Sequence, residues 1–281
     1  MKLARVNGRA SLLTSDGAID IEKTSNGQFS EHVQEIYSRW DEFLAAAPAL
    51  LEGAAAPYGE ADLGSPVEMP AHVFAIGLNY GAHATEVGVE IPTVPTVFTK
   101  FPATLTSPFS EFELSGDRVD WEVELVVVIS KRADFVAMED AWSHVAGLAI
   151  GQDISDRTMQ FAAGGQFSLG KSYRDYGPIG PWLTTLDDVE NPDDLSLRCW
   201  VNDELMQDGR TSSMIYGVPH LISAISDICP LLPGDVIFTG TCKGTGVGLD
   251  PPRFLKPGDV VRSEIEGLGQ IHNAAVAARR S

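Results

Sequence analysis

Cysteine is scarce in this chain. The three present, Cys199, Cys229 and Cys242, are odd in number and form no CxxC pair, which excludes a disulfide framework and a zinc ribbon and leaves free thiols in a reducing compartment as the expectation. Positive charge is scarce as well: 20 Lys and Arg stand against 39 Asp and Glu, for a formal net charge of -19. Such a surface repels a phosphate backbone, and no basic stripe offsets it, so neither nucleic acid nor an anionic membrane is expected as a partner. Long apolar runs are absent too. Nothing approaches the ~20 residues that span a bilayer, and the opening MKLARVNGRASLLTSDG lacks the apolar core of a signal peptide. A cytoplasmic protein is the expectation. Within this acidic chain the cations Lys100, Arg157, Lys171, Arg174 and Lys243 stand out, because they lie in or near the segments singled out below and a small anionic substrate needs local positive charge.

What is present is enough apolar content for a sizeable core, 44% of 281 residues. The length suits one large domain, alone or with a small companion. Residues 1–68 alternate short apolar runs with turn signals, then give a helical stretch from Phe29 to Leu51 and the loop GAAAPYGEADLGSP, whose Ala, Gly and Pro mark it as a linker. From Met69 onward the pattern is strand-rich: HVFAIGL, TVFTKF, VDWEVELVVVI, HVAGLAIGQDI, LSLRCWVND, DVIFTGT and DVVRSEIEGLGQIHNAAVA read as strands between Gly and Pro turns, with a helix over Tyr216 to Ile228. The fold class expected is α+β, mainly β, with a small N-terminal α+β domain (1–68) and a larger domain (69–281).

In the run from Val119 to Ile129, strand alternation puts Asp120, Glu122 and Glu124 on one face. Glu122 and Glu124 then lie about 7 Å apart at the backbone, close enough to share an ion. A solvated polar strand face gives the same alternation. The run that follows, Val126 to Ile129, is apolar on both faces, as in a strand entering a buried sheet. Carboxylates at the mouth of such a strand need a counter-charge. A third carboxylate, Asp153, ends another apolar run, HVAGLAIGQD. Three carboxylates without nearby His or Cys form a hard oxygen donor set suited to Mg²⁺ or Mn²⁺, with Ca²⁺ as a further candidate.

The segment Asn79 to Gly88 reads as a short helix closed by glycine, with His83 and Glu86 three residues apart and so on one face. A carboxylate there can hold the imidazole in one tautomer and leave its other nitrogen free to take a proton; an exposed His with a chance neighbour is the alternative. Between Gly170 and Pro181 a turn-rich stretch carries Lys171, which is either a surface lysine or, facing a metal, a group that offsets charge on a substrate. The stretch Thr239 to Gly248 lacks both the Gly-Lys-Ser/Thr ending of a phosphate loop and the GxGxxG spacing of a dinucleotide site. A loop that sets hydroxyls and backbone N–H groups around an anion is the better reading.

Taken in order, IGLNYGAHATEVG, DWEVELVVVI, GQDISDRTMQ, GKSYRDYGPIGP, LMQDGRTSSMIYGVPHLI, LLPGDVIFTGT and PPRFLKPGDVV resemble the fumarylacetoacetate hydrolase family from about Phe74 to the C-terminus. The resemblance implies a C-terminal mixed β-roll and, usually, a homodimer. It implies Glu122, Glu124 and Asp153 as metal ligands, His83 and Glu86 as a catalytic dyad and Lys171 as the active-site lysine, with Arg157, Gln160 and Thr241 near the substrate. Cys242 and Lys243 stand where the family often has proline or another small residue, and Lys243 is expected to read an extra carboxylate. The activity expected is metal-dependent cleavage of the C–C bond in an acylpyruvate-type 2-keto acid. Oxaloacetate decarboxylation, or hydration or isomerisation of an unsaturated 2-keto acid, would use the same site. A non-catalytic binder of an anionic metabolite is the alternative from another class, and an intact His-Glu pair counts against it.

Overall fold

The computed structural model describes residues 1–162 and 164–279. Its centre is an 11-stranded mixed sheet, whose main path runs Gly17–Asp20, Arg9–Thr14, Lys2–Val6, Gly177–Thr184, Val145–Gln152, Val123–Ile129, Val236–Thr241, Val73–Gly77 and Thr96–Thr99. A five-stranded sheet faces it, in the order Glu204–Arg210, Ser196–Val201, Val260–Ile265, Gly269–Val276 and Glu111–Glu113. The fold is therefore α+β and mainly β, as the sequence pattern implied.

The strand Val123–Ile129 is the spine. It pairs antiparallel with Val145–Gln152 on one side and Val236–Thr241 on the other, and all seven of its residues are buried. Val123, Leu125, Val127 and Ile129 point into the core shared with the five-stranded sheet, where they meet Leu197, Cys199 and Ile271. Val126 and Val128 point the other way, into a second core roofed by Phe29, Val33, Ile36 and Phe43. An apolar run two cores deep is what a doubly covered strand requires.

The helical stretch expected from Phe29 to Leu51 forms two helices instead, Val33–Tyr37 and Trp40–Leu50. Arg39 at the junction leaves helical geometry, with φ -126° and ψ 34°. The break lets Tyr37 and Trp40 both turn into the core, their rings stacked at 5.7 Å, while the Tyr37 hydroxyl donates to Pro66 O at 2.8 Å. Gly177–Thr184, read from sequence as turn-rich, is a strand. Its prolines disguise it, since proline removes a ladder donor. Here the register shifts along its partner, and its neighbours share it in pieces: Leu105–Thr106 pairs at Gly177 and Pro178, and Lys2–Val6 only at Leu183 and Thr184.

That last pairing stitches residues 1–68 to the rest. Lys2–Val6 extends the main sheet, Leu63–Gly64 returns onto it, and the amino terminus donates to Thr185 Oγ1 at 2.6 Å. The stretch expected as a linker carries Leu63, 4% exposed, and a bridge from Ala56 to Ala18. Among the described residues no helix is long and apolar enough to cross a membrane.

Removing residues 1–68 would uncover Val126, Val128 and Phe238 and free a strand edge, so the truncated chain is expected to aggregate or to lose its cooperative urea transition. A monodisperse truncation that unfolds at the midpoint of the full chain would show that the two parts fold independently.

Candidate metal centre

The site begins where the spine strand becomes irregular. Val119–Asp120 pairs with Ser155–Asp156, the chain leaves ladder geometry at Trp121 and Glu122, and regular pairing resumes at Val123. Buried backbone N–H groups need acceptors there. Two fully buried glutamines supply them: Gln152 Oε1 accepts from Glu122 N at 2.9 Å and Gln207 Oε1 from Val123 N at 3.0 Å. Each is held in turn, because Gln152 Nε2 donates to Ser263 Oγ (2.8 Å) and Gln207 Nε2 to Thr241 Oγ1 (2.8 Å) and Cys242 O (2.9 Å). Thr241 Oγ1 donates to Val123 O at 2.8 Å. This frame sets Glu122 and Glu124 beside Asp153, whose N–H donates to Glu122 O at 2.9 Å. Carboxylate oxygens of the three residues lie within 4.8 Å of one another, all buried.

Asp120, expected on the same face, turns elsewhere. Its oxygens accept from Gly246 N (2.7 Å), Val247 N (3.0 Å) and Arg157 Nε (2.8 Å). Arg157 Nη1 also reaches Glu122 Oε1 at 2.7 Å and Gln160 Oε1 at 2.8 Å. Lys171 Nζ bridges Glu122 Oε2 at 2.7 Å and Asp153 Oδ2 at 2.8 Å. Beneath them Lys100, 1% exposed, gives its ammonium to Asp153 Oδ1 at 2.6 Å, to Tyr176 O at 3.1 Å and to Lys171 O.

Four buried carboxylates (Asp120, Glu122, Glu124, Asp153) thus face three buried cations (Lys100, Arg157, Lys171), which leaves one negative charge in excess. The excess falls on Glu124. Burial, then Asp153 and Glu122, push its pKa well above the carboxylate range, and among the described residues its one hydrogen-bond donor is Gly240 N at 2.8 Å. Burial also works against ionised Glu122, yet Lys171 and Arg157 hold its pKa down at about 2. A buried carboxylate without an ion-pair partner among the described residues, beside two that are paired with cations, suits the ligand set of a further cation. The donor set is all oxygen, which suits a hard divalent ion such as Mg²⁺ or Mn²⁺. A dication would turn the cluster's single excess negative charge into a single positive one, complementary to a monoanionic acid.

His83 and Glu86 sit on the helix Gly81–Glu86. Its placement is fixed just upstream, where Leu78 adopts φ 56° and the buried Asn79 amide clamps three backbone groups: Nδ2 donates to Thr239 O (2.7 Å) and Tyr216 O (3.0 Å), and Oδ1 accepts from Tyr216 N (2.9 Å). Glu86 Oε2 lies 3.1 Å from His83 Nδ1, and Oε1 accepts from Gly244 N at 2.8 Å. Nε2 is then the ring nitrogen available to a reactant. The glycine-rich loop does surround anions, but they are the protein's own: Glu124, Glu86 and Asp120 each accept its backbone N–H groups. Two of its glycines lie directly against those carboxylates. A Cβ on Gly246 would fall 2.7 Å from Asp120 Oδ1, and one on Gly248 would fall on the Glu86 side chain, 2.6 Å from Oε2.

A cavity of about 370 Å³ opens above this floor, lined by His83, Glu86, Glu122, Arg157, Gln160, Lys171 and Thr241. Glu124 and Asp153, buried beside Glu122, do not line it. Larger surface concavities exist, but they contain none of the candidate catalytic groups. Lys243, expected to read a carboxylate, is exposed and off the cavity, because the loop turns its backbone inward at Gly244; Arg174 is exposed elsewhere. Sequence reasoning placed Lys100 near the site without a role, and missed Gln152, Gln207 and Gly248. Gln152, directly before Asp153 in a buried strand, carried a signal of its own as a polar residue in an apolar run.

The profile "Fumarylacetoacetate (FAA) hydrolase C-terminal" matches residues 72–276. The chain belongs to the fumarylacetoacetate hydrolase family. It is 42% identical over 223 residues, 78% of its own length and 71% of the relative's, to a Bos taurus protein named "Oxaloacetate tautomerase FAHD2B, mitochondrial". A solved structure from Mycobacterium smegmatis superposes with a TM-score of 0.93 at 44% identity, covering 99% of this chain and 100% of that one. The maleylpyruvate hydrolase of Sphingobium sp. SYK-6, solved with manganese (II) ion and pyruvate, gives a TM-score of 0.81 at 30% identity over 99% of this chain and 100% of that one.

Glu124→Gln is expected to abolish Mn²⁺ binding by titration calorimetry, and Gln207→Leu to weaken it by about 10- to 100-fold, the usual cost of losing a group that orients a ligand. An unchanged Glu124→Gln isotherm removes that residue from the ligand set. Gly248→Ala should displace Glu86 and lower kcat by about 10² with the Mn²⁺ isotherm intact, as for other ångström-scale misplacements; wild-type kcat in this variant would mean that Glu86 does not position His83.

Proposed function

We propose that this chain is a divalent-metal-dependent hydrolase that cleaves the C–C bond of acylpyruvate-type 2-keto acids. The observation that carries the reading is His83, its Nδ1 set by Glu86 and its Nε2 available, in the same cavity as Glu122 of the three-carboxylate cluster. A cation held by Glu122, Glu124 and Asp153 would supply Lewis acidity toward the vicinal keto and carboxylate oxygens. His83 takes a proton from water, and Glu86 stabilises the imidazolium. The hydroxide equivalent adds to the distal carbonyl carbon, the bond from that carbon to the methylene breaks, and a carboxylic acid leaves. Lys171 offsets charge on the pyruvate enolate, which takes its proton back from His83.

A second reading is supported by the 42% identical relative named an oxaloacetate tautomerase. In oxaloacetate the same His83 would take a proton from C3, and the enolate would be reprotonated on oxygen without C–C cleavage.

Pyruvate release from acylpyruvates is expected to need added Mg²⁺ or Mn²⁺ and to stop with EDTA, and His83→Ala to lower kcat by about 10² to 10⁴. Chelator-resistant turnover, or a wild-type rate in His83→Ala, would sink the hydrolase reading; enol–keto exchange of oxaloacetate without pyruvate release would favour the second.

A further inference from the structure

We infer that the substrate carries an apolar substituent beyond its keto-acid head, and that the outer half of the cavity selects for it. The inference rests on the keto-acid reading of the metal centre and adds the chemistry of the remainder of the substrate. The cavity is divided. Its floor holds the charged groups, whereas Ile76, Val87, Val89, Phe98, Phe161 and Phe167 form the wall above them. The three phenylalanines make one aromatic surface: Phe98 and Phe167 meet edge to face at 5.7 Å, and Phe167 and Phe161 at 6.4 Å. That surface starts at the floor, where Lys171 Nζ lies 5.5 Å from the centre of the Phe98 ring. It ends at the mouth, where Phe161 is 53% exposed and Val89 48%.

A second carboxylate on the substrate would find little here. The two cations of the cavity, Lys171 and Arg157, are both already paired with carboxylates, and Lys100 lies behind Asp153 out of reach. The Thr241 hydroxyl is used by Val123 O and Gln207. The Gln160 amide is a neutral donor, and it sits at the floor beside Arg157. An anionic tail would therefore lose hydration along the aromatic wall without gaining a counter-charge. An alkyl or aryl tail would cover Phe161 and Val89, exposed apolar side chains that otherwise face water.

The test measures binding without turnover, by titrating the Mn²⁺-loaded protein with pyruvate, 2-oxobutanoate, 2-oxopentanoate, 2-oxohexanoate and 2-oxoadipate. Full burial would tighten binding about fourfold per methylene, so 2-oxohexanoate, set against a half-exposed wall, is expected to bind at least about tenfold more tightly than pyruvate. It should also bind more tightly than 2-oxoadipate, which replaces its terminal methyl by a carboxylate. Phe161→Ser, and independently Val89→Ser, should flatten the gain along the series. Pyruvate binding with no gain along the series, or tighter binding of 2-oxoadipate, overturns the inference and leaves the keto-acid reading standing. If both variants weaken all five acids equally, the wall does not read the tail and the inference also falls. Failure of every 2-oxo acid to bind overturns the keto-acid reading, and this inference with it.

Discussion

Glu122, Glu124 and Asp153 must stay within a few ångströms of one another, and together with Asp120 they carry one negative charge more than Lys100, Arg157 and Lys171 neutralise. Left alone, such a cluster would relax by separating, by admitting water or by taking up a proton. The fold blocks the first, and shields Glu124 and Asp153 from the second. Glu122 and Glu124 flank Val123 at the start of a strand buried on both faces, and Asp153 directly follows the paired strand, so backbone separations are set by sheet geometry. Lys100, held by three acceptors, closes the floor from below. What the fold leaves open is protonation of Glu124, and a bound dication competes with that proton.

The same constraint accounts for the polar residues buried behind the site. A regular strand would satisfy its own backbone, but one running straight through residues 119–129 would commit Glu122 to the ladder and turn its side chain along a fixed direction. The irregularity at Trp121 and Glu122 frees that direction and leaves N–H groups needing acceptors. Gln152 and Gln207 supply them from two different sheets, and through Ser263 and Thr241 they tie those sheets to the break. A half-satisfied network would cost more than an apolar core, so these residues stand or fall as a group.

Much of this was legible in the sequence because it rests on local regularities. Strand alternation grouped Glu122 with Glu124, the apolar run after them marked a doubly buried strand, and the three-residue spacing of His83 and Glu86 put them on one helical face. The fold class was readable for the same reason, since most strands announce themselves through β-branched runs between turns. Less visible were features decided by tertiary contacts. Gly177–Thr184 carries two prolines and two glycines, and only a divided set of neighbours lets it serve as a strand. Asp120 shares the alternation of Glu122 but is drawn off by Arg157 and the N–H groups of Gly246 and Val247, none of them a local neighbour. The glycine-rich loop has the pattern of an anion cradle, and the anions it holds are side chains of the chain itself. Lys243 looked like a substrate cation from its place in that loop, but the inward turn at Gly244 sends it to solvent.

Floor and wall are built by different parts of the chain, and this bears on how one family holds proteins named for hydrolysis and for tautomerisation. Glu122, Glu124, Asp153 and the glutamines behind them belong to paired strands in the interior, where any change disturbs two cores. Val87, Val89, Phe161 and Phe167 belong to a helix end and to loops at the surface, where a substitution changes what the cavity accepts and little else. Enolate chemistry needs only the floor: an electrophile for the vicinal oxygens and a base within reach of water or of C3. On the proposed reading, whether the enolate arose by proton removal or by C–C cleavage would depend on where the distal group of the substrate was held relative to His83, a position the wall would set. On that reading, reaction type could change with the exposed part of the site while the buried charge cluster stayed constant, as expected when function resides in sites grafted onto a fold.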